Sequence, residues 1–277
     1  MLIDEAGYVI PAMKKELRPM TDLHTILDTI DSLGPPFRVG TEARTDTAGD
    51  VEVDWFTAAQ LCDPASGEAR RMIELHARYR QMPVARHVGS LVFQRYCHRV
   101  CAVAAAAWVL HGVALDLRAP NVRVRFVAGT SDLVVLGTPS ALADATPEDL
   151  LEATVDGHLA PLAQSVRAET GPGMGNLMGN IAAGFAGAFR TLARRPDPNP
   201  SMQEISVLAE SLLSARPELQ RCGDLRILTG PAGPRLQYDR RTCCHWYAAP
   251  DGRYCSWCSR LSYDERTRRF QEAMAQE

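Results

Sequence analysis

Residues 241–260 read RTCCHWYAAPDGRYCSWCSR, and four of the chain's eight cysteines, Cys243, Cys244, Cys255 and Cys258, fall there as C-C-x10-C-x2-C. Between the pairs, Pro250-Asp251-Gly252 is a turn signal, because proline presets φ and glycine accepts the left-handed region. The spacing predicts a hairpin that returns Cys258 opposite Cys243 and Cys244, with Cys255 about one strand step further in, so that four thiols converge on one metal centre.

Three readings compete for those thiols. Structural zinc favours paired C-x2–4-C knuckles, and only Cys255/Cys258 has that form. Adjacent cysteines on an extended strand point to opposite faces, which is awkward for one small ion. A two-iron cluster divides its ligands between two metals and tolerates the divergence, and four thiolates are the usual ligand set of [2Fe–2S]. Disulfides need an oxidising compartment, for which the chain gives no sign. A [2Fe–2S] cluster on Cys243, Cys244, Cys255 and Cys258 ranks first, zinc second, and disulfides or free thiols third.

The motif, preceded by arginine-rich sequence and followed by a short helix, resembles the [2Fe–2S] segment of the FhuF-like ferric siderophore reductase family. The stretch PVARHVGSLVFQRYCHRVCAVAAAAWVLHGVALDLRAPNVRV looks like that family's central helical region. GNLMGNIAAGFAGAF resembles its Gly-Asn-containing helix, with Met178 where the family pattern carries a tryptophan. The N-terminal third has no distinctive match. The resemblance implies a ferric siderophore as substrate.

Working outward, 277 residues are enough for a sizeable core in one or two domains. A hydrophobic content of 46% and a charged content of 23% place the chain among globular proteins rather than disordered ones. The net charge of -3 argues against a dedicated nucleic-acid binder. No secretory signal is visible at the start, and the longest apolar run, Val100 to Leu110, is about half of what a membrane span needs. The expectation is a cytoplasmic protein with no transmembrane segment, at most peripheral to the inner face of the membrane. In that reducing setting closely spaced cysteines read as metal ligands.

The expected fold class is α+β: a mainly helical region over 1–195 that binds substrate, a Pro-rich linker at 196–200, a helix and hairpin over 201–239, and a cluster-binding hairpin segment over 240–277. Apolar periodicity predicts helices over Thr21–Leu33, Gly67–Gln81, Pro83–His111 (with Gly112 at C′), Thr146–Ala160, Pro161–Glu169, Asn176–Arg195 and Met202–Ala215. Residues 41–50 read as a polar loop. Strands are expected at Val51–Trp55, Val122–Val127 and Leu133–Leu136, the last two joined by a turn at Gly129–Asp132. Strands at Leu225–Leu228 and Arg235–Tyr238 form a second hairpin. Trp55 and Phe56 read as core, and Arg123 and Arg125 as a solvated sheet face, with an anion groove as the alternative. Cys97 and Cys101 read as buried free thiols, and His87 and His98 as core-edge or exposed. The Ala- and Gly-rich stretch after Asn176 needs a closely packed neighbour.

No P-loop, dinucleotide fingerprint or G-x-S-x-G occurs, so electrons must come from an external donor protein, a ferredoxin or a reductase. A cluster on four thiolates carries about -2 when oxidised and about -3 when reduced, so nearby cations favour reduction. Arg240, Arg241, Arg253 and Arg260 are the candidates, for the cluster or for an anionic chelate. His245 is the nearest proton donor for departing chelate oxygens. Trp246, Tyr254 and Trp257 are placed to shield the centre. The function expected is one-electron reduction of a ferric siderophore; the alternative is an iron–sulfur electron carrier or a siderophore-binding protein without turnover.

Overall fold

The computed structural model describes residues 23–41, 53–196, 199–231 and 233–275. Helix α1 (Leu23–Ser32) turns Leu27 and Ile30 inward, and a 3-10 turn at Pro35–Phe37 follows it into strand β1 (Val39–Thr41). The expected loop at 41–50 lies, beyond Thr41, outside the described residues, as do Thr21, Val51 and Glu52. Strand β2 (Val53–Thr57) runs into α2 (Ala58–Cys62), then α3 (Glu68–Arg80). Phe56 is core, whereas Trp55 is half-exposed beneath the Arg123 guanidinium.

The central helix α4 (Arg86–His111) is apolar on nearly every side, the pattern of a helix surrounded by protein. It begins three residues after the expected Pro83. Gln81 ends α3 in the left-handed region, and the Met82 N–H reaches back to Ala77 O at 2.9 Å, which leaves 83–85 as an extended link. Gly112 ends α4 at φ 67, as expected for a C′ glycine.

Beyond α4 come β3 (Ala114–Leu115), β4 (Val122–Val127), β5 (Thr130–Leu136) and β6 (Ala141–Leu142). The larger sheet has the order β1-β5-β4-β2. The β4–β5 hairpin turns on Ala128 and Gly129, both at positive φ, one step before the expected turn. β1 adds to β5 in parallel, a pairing outside the antiparallel expectation. Arg125 corrects another expectation: it is 5% exposed and holds Asp132 at 2.8 Å, so it is neither a solvated face nor a groove lining.

A capping box of Thr146 and Asp149 starts α5 (Pro147–Leu151). The chain continues without a break through a π-helical segment, Glu152–Leu159, into α6 (Ala160–Thr170). Two helices were expected; Pro161 has no N–H to give the preceding turn, and the wider π turns carry the chain past it. Helix α7 (Met174–Leu192) lies along α4. A Cβ at Gly184 would sit 3.0 Å from Cys101 Sγ and 3.1 Å from Cys97 O, which is the close approach the small residues imply. Cys97 and Cys101 are fully buried free thiols.

Capped by Ser201 and Glu204, α8 (Met202–Ser214) leads through α9 (Pro217–Gln220) to the hairpin of β7 (Gly223–Gly230) and β8 (Gly233–Arg240). Helix α10 (Tyr263–Ala275) packs Met274 on Gly230. The protein is α+β, with a helical N-terminal region and small sheets. One continuous cluster of buried side chains runs from Leu27 to Ala249. Among the described residues no helix is long and apolar enough to cross a membrane.

Candidate metal centre

β8 delivers the chain to the cysteines against one face of α7. Gly179 makes the approach possible: a Cβ there would lie 1.9 Å from Thr242 Oγ1. Three residues earlier on the same face, the Asn176 amide donates to Cys243 O. Ser90 of α4 donates to Asn176 Oδ1 at 2.8 Å and to Cys244 O at 3.4 Å. Asn180 donates to Ser90 O at 3.0 Å and accepts from Arg240 Nη2 at 2.5 Å. The backbone of the cysteine pair is therefore placed by side chains of two buried helices.

After Cys244 the chain reverses at His245, φ 67, and makes a 3-10 turn at Trp246–Ala248. The N–H groups of His245 and Trp246 donate to Cys243 Sγ at 3.4 Å and Cys244 Sγ at 3.5 Å. The expected turn at Pro250–Gly252 is present, closed by Gly252 N–H to Ala249 O at 2.8 Å, but residues 241–262 form no strand pair. Gly252 is not at positive φ either. It is required because a Cβ would sit 2.1 Å from Trp246 O. A second turn, Cys258 N–H to Cys255 O at 3.0 Å, sets the second cysteine pair.

Cys255 shares side-chain hydrogen bonds with Cys244 and Cys258, which retains its own proton and lowers the other two thiols to about 6. The Arg240 guanidinium lowers both further. Burial raises Cys243, against the pull of the His245 N–H. Among the described residues no group of three or more His, Cys, Asp or Glu side chains is placed to hold a single metal ion. The chemistry of the donor set nevertheless fits a thiolate-held anionic group: thiols inclined to ionise, backbone N–H groups directed at sulfur, and a buried cation.

That cation is Arg240, 1% exposed. Among the described residues its hydrogen-bond partners are neutral, Asn180 and Thr242, and its Nη1 has none. The neighbouring carboxylate, Asp239, is taken by Arg226, with Arg266 at 3.8 Å. A buried guanidinium without a counter-anion costs several kcal/mol by order of magnitude, and negative charge on the thiols offsets that cost.

The other candidates divide. Arg241 points away, exposed and ion-paired with Asp224 at 2.5 Å. Arg253 stacks over Trp246 at 5.6 Å, and Arg260 over Tyr247 at 4.1 Å while its charge bears on Cys243. His245 stands 4.8 Å from His87, ring to ring, and burial followed by neighbouring positive groups lowers it to about 4. It is neutral at physiological pH and is no reservoir of protons. Trp257 packs edge-on to Tyr238 under Arg190, half-buried; Tyr254 is exposed at 39% and shields little. Arg80 ties the loop to α3 through Asp251 at 2.8 Å.

Ser90 and Asn176 were not singled out from the sequence, and Gly179-Asn180 was noted only as part of a resemblance, without a role. The signal was present: Gly175-Asn176 and Gly179-Asn180 repeat at a four-residue spacing, which puts both asparagines on one helix face. A recess of about 330 Å³ beside β3 and β6 contains no thiol, and two of its three acids are engaged, Asp116 with Arg118 and Asp149 in the Thr146 cap. A smaller one, about 210 Å³, is walled by Trp257. No protein-family model matches the chain, and no curated protein matches it in sequence.

Proposed function

We propose that Cys243, Cys244, Cys255 and Cys258 hold a [2Fe–2S] cluster and that the protein reduces the iron of a ferric siderophore by one electron, received from an external ferredoxin or reductase. The observation that carries this reading is the pairing of ionisable thiols with a buried, carboxylate-free Arg240. The resemblance of the cysteine motif to FhuF-like ferric siderophore reductases supplies the substrate class.

When bound, such a cluster supplies single-electron transfer, with a potential set by charge, hydrogen bonds to sulfur and exposure. The chain's own residues set those three terms. The N–H groups of His245 and Trp246 donate to sulfur, Arg240 places a fixed cation behind the thiols, and Trp246 and Trp257 cover part of the loop. The N–H groups and the cation favour the more negative state, and exclusion of water by the indoles opposes them. One electron converts Fe(III) to Fe(II), which hard oxygen ligands hold far less tightly, so the metal leaves and the chelator stays intact. No acid–base pair is required. His245, held neutral, is better suited to donating a hydrogen bond than to delivering a proton.

Anaerobically purified protein is expected to contain equal amounts of iron and acid-labile sulfide, to be coloured, and to give an EPR signal after dithionite. A colourless, zinc-loaded protein overturns the reading. If the prereduced protein binds a ferric chelate and leaves it ferric, the carrier or binding role replaces reduction.

A further inference from the structure

Arg95 stands on α4 where that helix meets α3 and the cysteine loop. Its side chain is exposed and makes no hydrogen bond or ion pair among the described residues. The ionisable groups that bear on it are Arg80 and Tyr79 of α3 and Asp251 and Cys244 of the loop. One turn further along α4, Arg99 adds a third guanidinium. Its Nε is on Ser131 O at 3.0 Å, and its Nη1 is buried with no partner among the described residues. The carboxylates that bear on this group are already held, Asp251 by Arg80 and Asp132 by Arg125, each at 2.8 Å. Arg95 and Arg99 are therefore an uncompensated pair, and each lowers the other's neighbourhood for positive charge.

Apolar surface is exposed beside them. Tyr79 is 51% exposed, and Val84, four residues beyond Arg80 in the link to α4, is 54% exposed. Tyr79 is held out on a fixed backbone: His76 of the same helix bonds Gly129 O at 2.8 Å, and a Cβ at Gly129 would lie 2.6 Å from that of Tyr79. Neither recess described above has Arg80, Arg95 or Tyr79 in its wall, so nothing there encloses a small ligand. Tyrosine and arginine are instead the side chains enriched in protein interfaces, and electron-transfer encounters use small ones, below about 1,200 Å². The excess of positive charge selects an acidic partner. Cys244 brings the metal-centre loop to the same place. We propose that Tyr79, Arg95 and Arg99 form the docking surface for a small acidic one-electron carrier protein, which delivers its electron to the thiol-held centre from the Cys244 side. The carrier is oxidised by one electron and the centre reduced by one, with no bond made or broken.

That the partner is an electron donor rests on the cluster reading; the docking itself is tested without electron transfer. Binding of an oxidised acidic [2Fe–2S] ferredoxin to the full chain is measured by calorimetry at low and at physiological ionic strength, which screens exposed charge. Arg95→Glu reverses the charge, Tyr79→Ser removes the ring, and Arg167→Glu makes the same charge change at an exposed position of α6. Arg95→Glu is expected to weaken binding at least about tenfold, which is about 1.4 kcal/mol, and to flatten its salt dependence. Tyr79→Ser is expected to weaken it about threefold at both ionic strengths, and Arg167→Glu to stay within about twofold. In anaerobic stopped flow the reduced ferredoxin should reduce Arg95→Glu more slowly by the same factor, while dithionite reduces it as completely as wild type. An unchanged thermal midpoint certifies each fold. No binding to wild type, no effect of Arg95→Glu, or an equal effect of Arg167→Glu overturns the docking surface. So does Arg95→Glu weakening a gallium(III) chelate and sparing the ferredoxin, which gives the patch to the substrate. Colourless protein that binds ferredoxin with the expected variant pattern overturns the cluster reading and leaves the docking surface standing.

Discussion

The α4–α7 pair and the loop at 241–262 touch along their length and are held in opposite ways. The helices are fixed by apolar burial and by small residues that let their backbones approach, as Gly184 does against Cys101. The loop contains one 3-10 turn, and few of its side chains are buried beyond Cys244, Ala249 and Cys258. It is held by directional contacts instead: amides of α7, N–H groups to sulfur, the Arg80–Asp251 ion pair and stacked cations. Packing makes the helices indifferent to single polar contacts. The loop has no such reserve, so its order depends on those contacts one by one.

The sharpest separation of the two regions is expected from Cys255→Ser, which removes the thiol shared by Cys244 and Cys258. Iron content and chelate reduction are expected to vanish while far-UV circular dichroism stays as in wild type. Reduction that persists without visible cluster bands breaks the mechanism.

Acid also acts on the helical layer. His158 is fully buried in the π segment, its Nδ1–H donating to Leu117 O and its Nε2 accepting from the Tyr96 hydroxyl, both at 2.8 Å. Burial lowers it from 6.5 to about 4. An unfolded chain takes up that proton before the folded one, so the neutral ring's contribution is complete above pH 6.5 and is lost as pH falls through 4. The loss is on the order of 3 kcal/mol. Denaturant titrations of wild type and His158→Gln across this range check it; parallel curves would remove His158 as the cause.

Asn180→Ala strikes the seam between the regions. It strips Arg240 of its buried acceptor and is expected to cost about 1.5–3 kcal/mol, with iron loading reduced in proportion. A fully loaded variant would show that Arg240 is held by the thiols alone.

The smallest effect comes from two substitutions on one helix. Gly179→Ala forces Thr242 away and is expected to destabilise by about 1–3 kcal/mol and to lower iron content. Gly187→Ala meets only an ordinary contact, Trp257 Cη2 at 3.7 Å, and is expected to gain up to about 1 kcal/mol of helix stability. Equal thermal shifts for the two would dissolve the contrast between packing and placement.

What was legible in the sequence follows the same division. The helices announce themselves because burial imposes a period, and Gly112 marks the end of one of them. The cysteine spacing and the turn at Pro250–Gly252 were readable, since both are local. The absence of strand pairing around that turn was not, because a loop stitched by side chains of distant helices leaves no period of its own. Arg125 misled for a related reason: alternation in β4 marks a face, and only Asp132 across the hairpin turns that face inward. Arg241 sits beside the motif in sequence yet serves Asp224. Proximity along the chain says little where each residue reverses direction.

The grip of α7 on the loop falls on a carbonyl, that of Cys243, and leaves the sulfurs to one another. Scaffold and cargo are thus separable in time. The loop can be docked on its helix by a finished fold while the thiols still carry protons, and loading the site then asks for side-chain rotation and proton release rather than for chain refolding. On the proposed cluster reading, maturation becomes a late step on a standing platform, and the apo form is a folded client for whatever would deliver the metal.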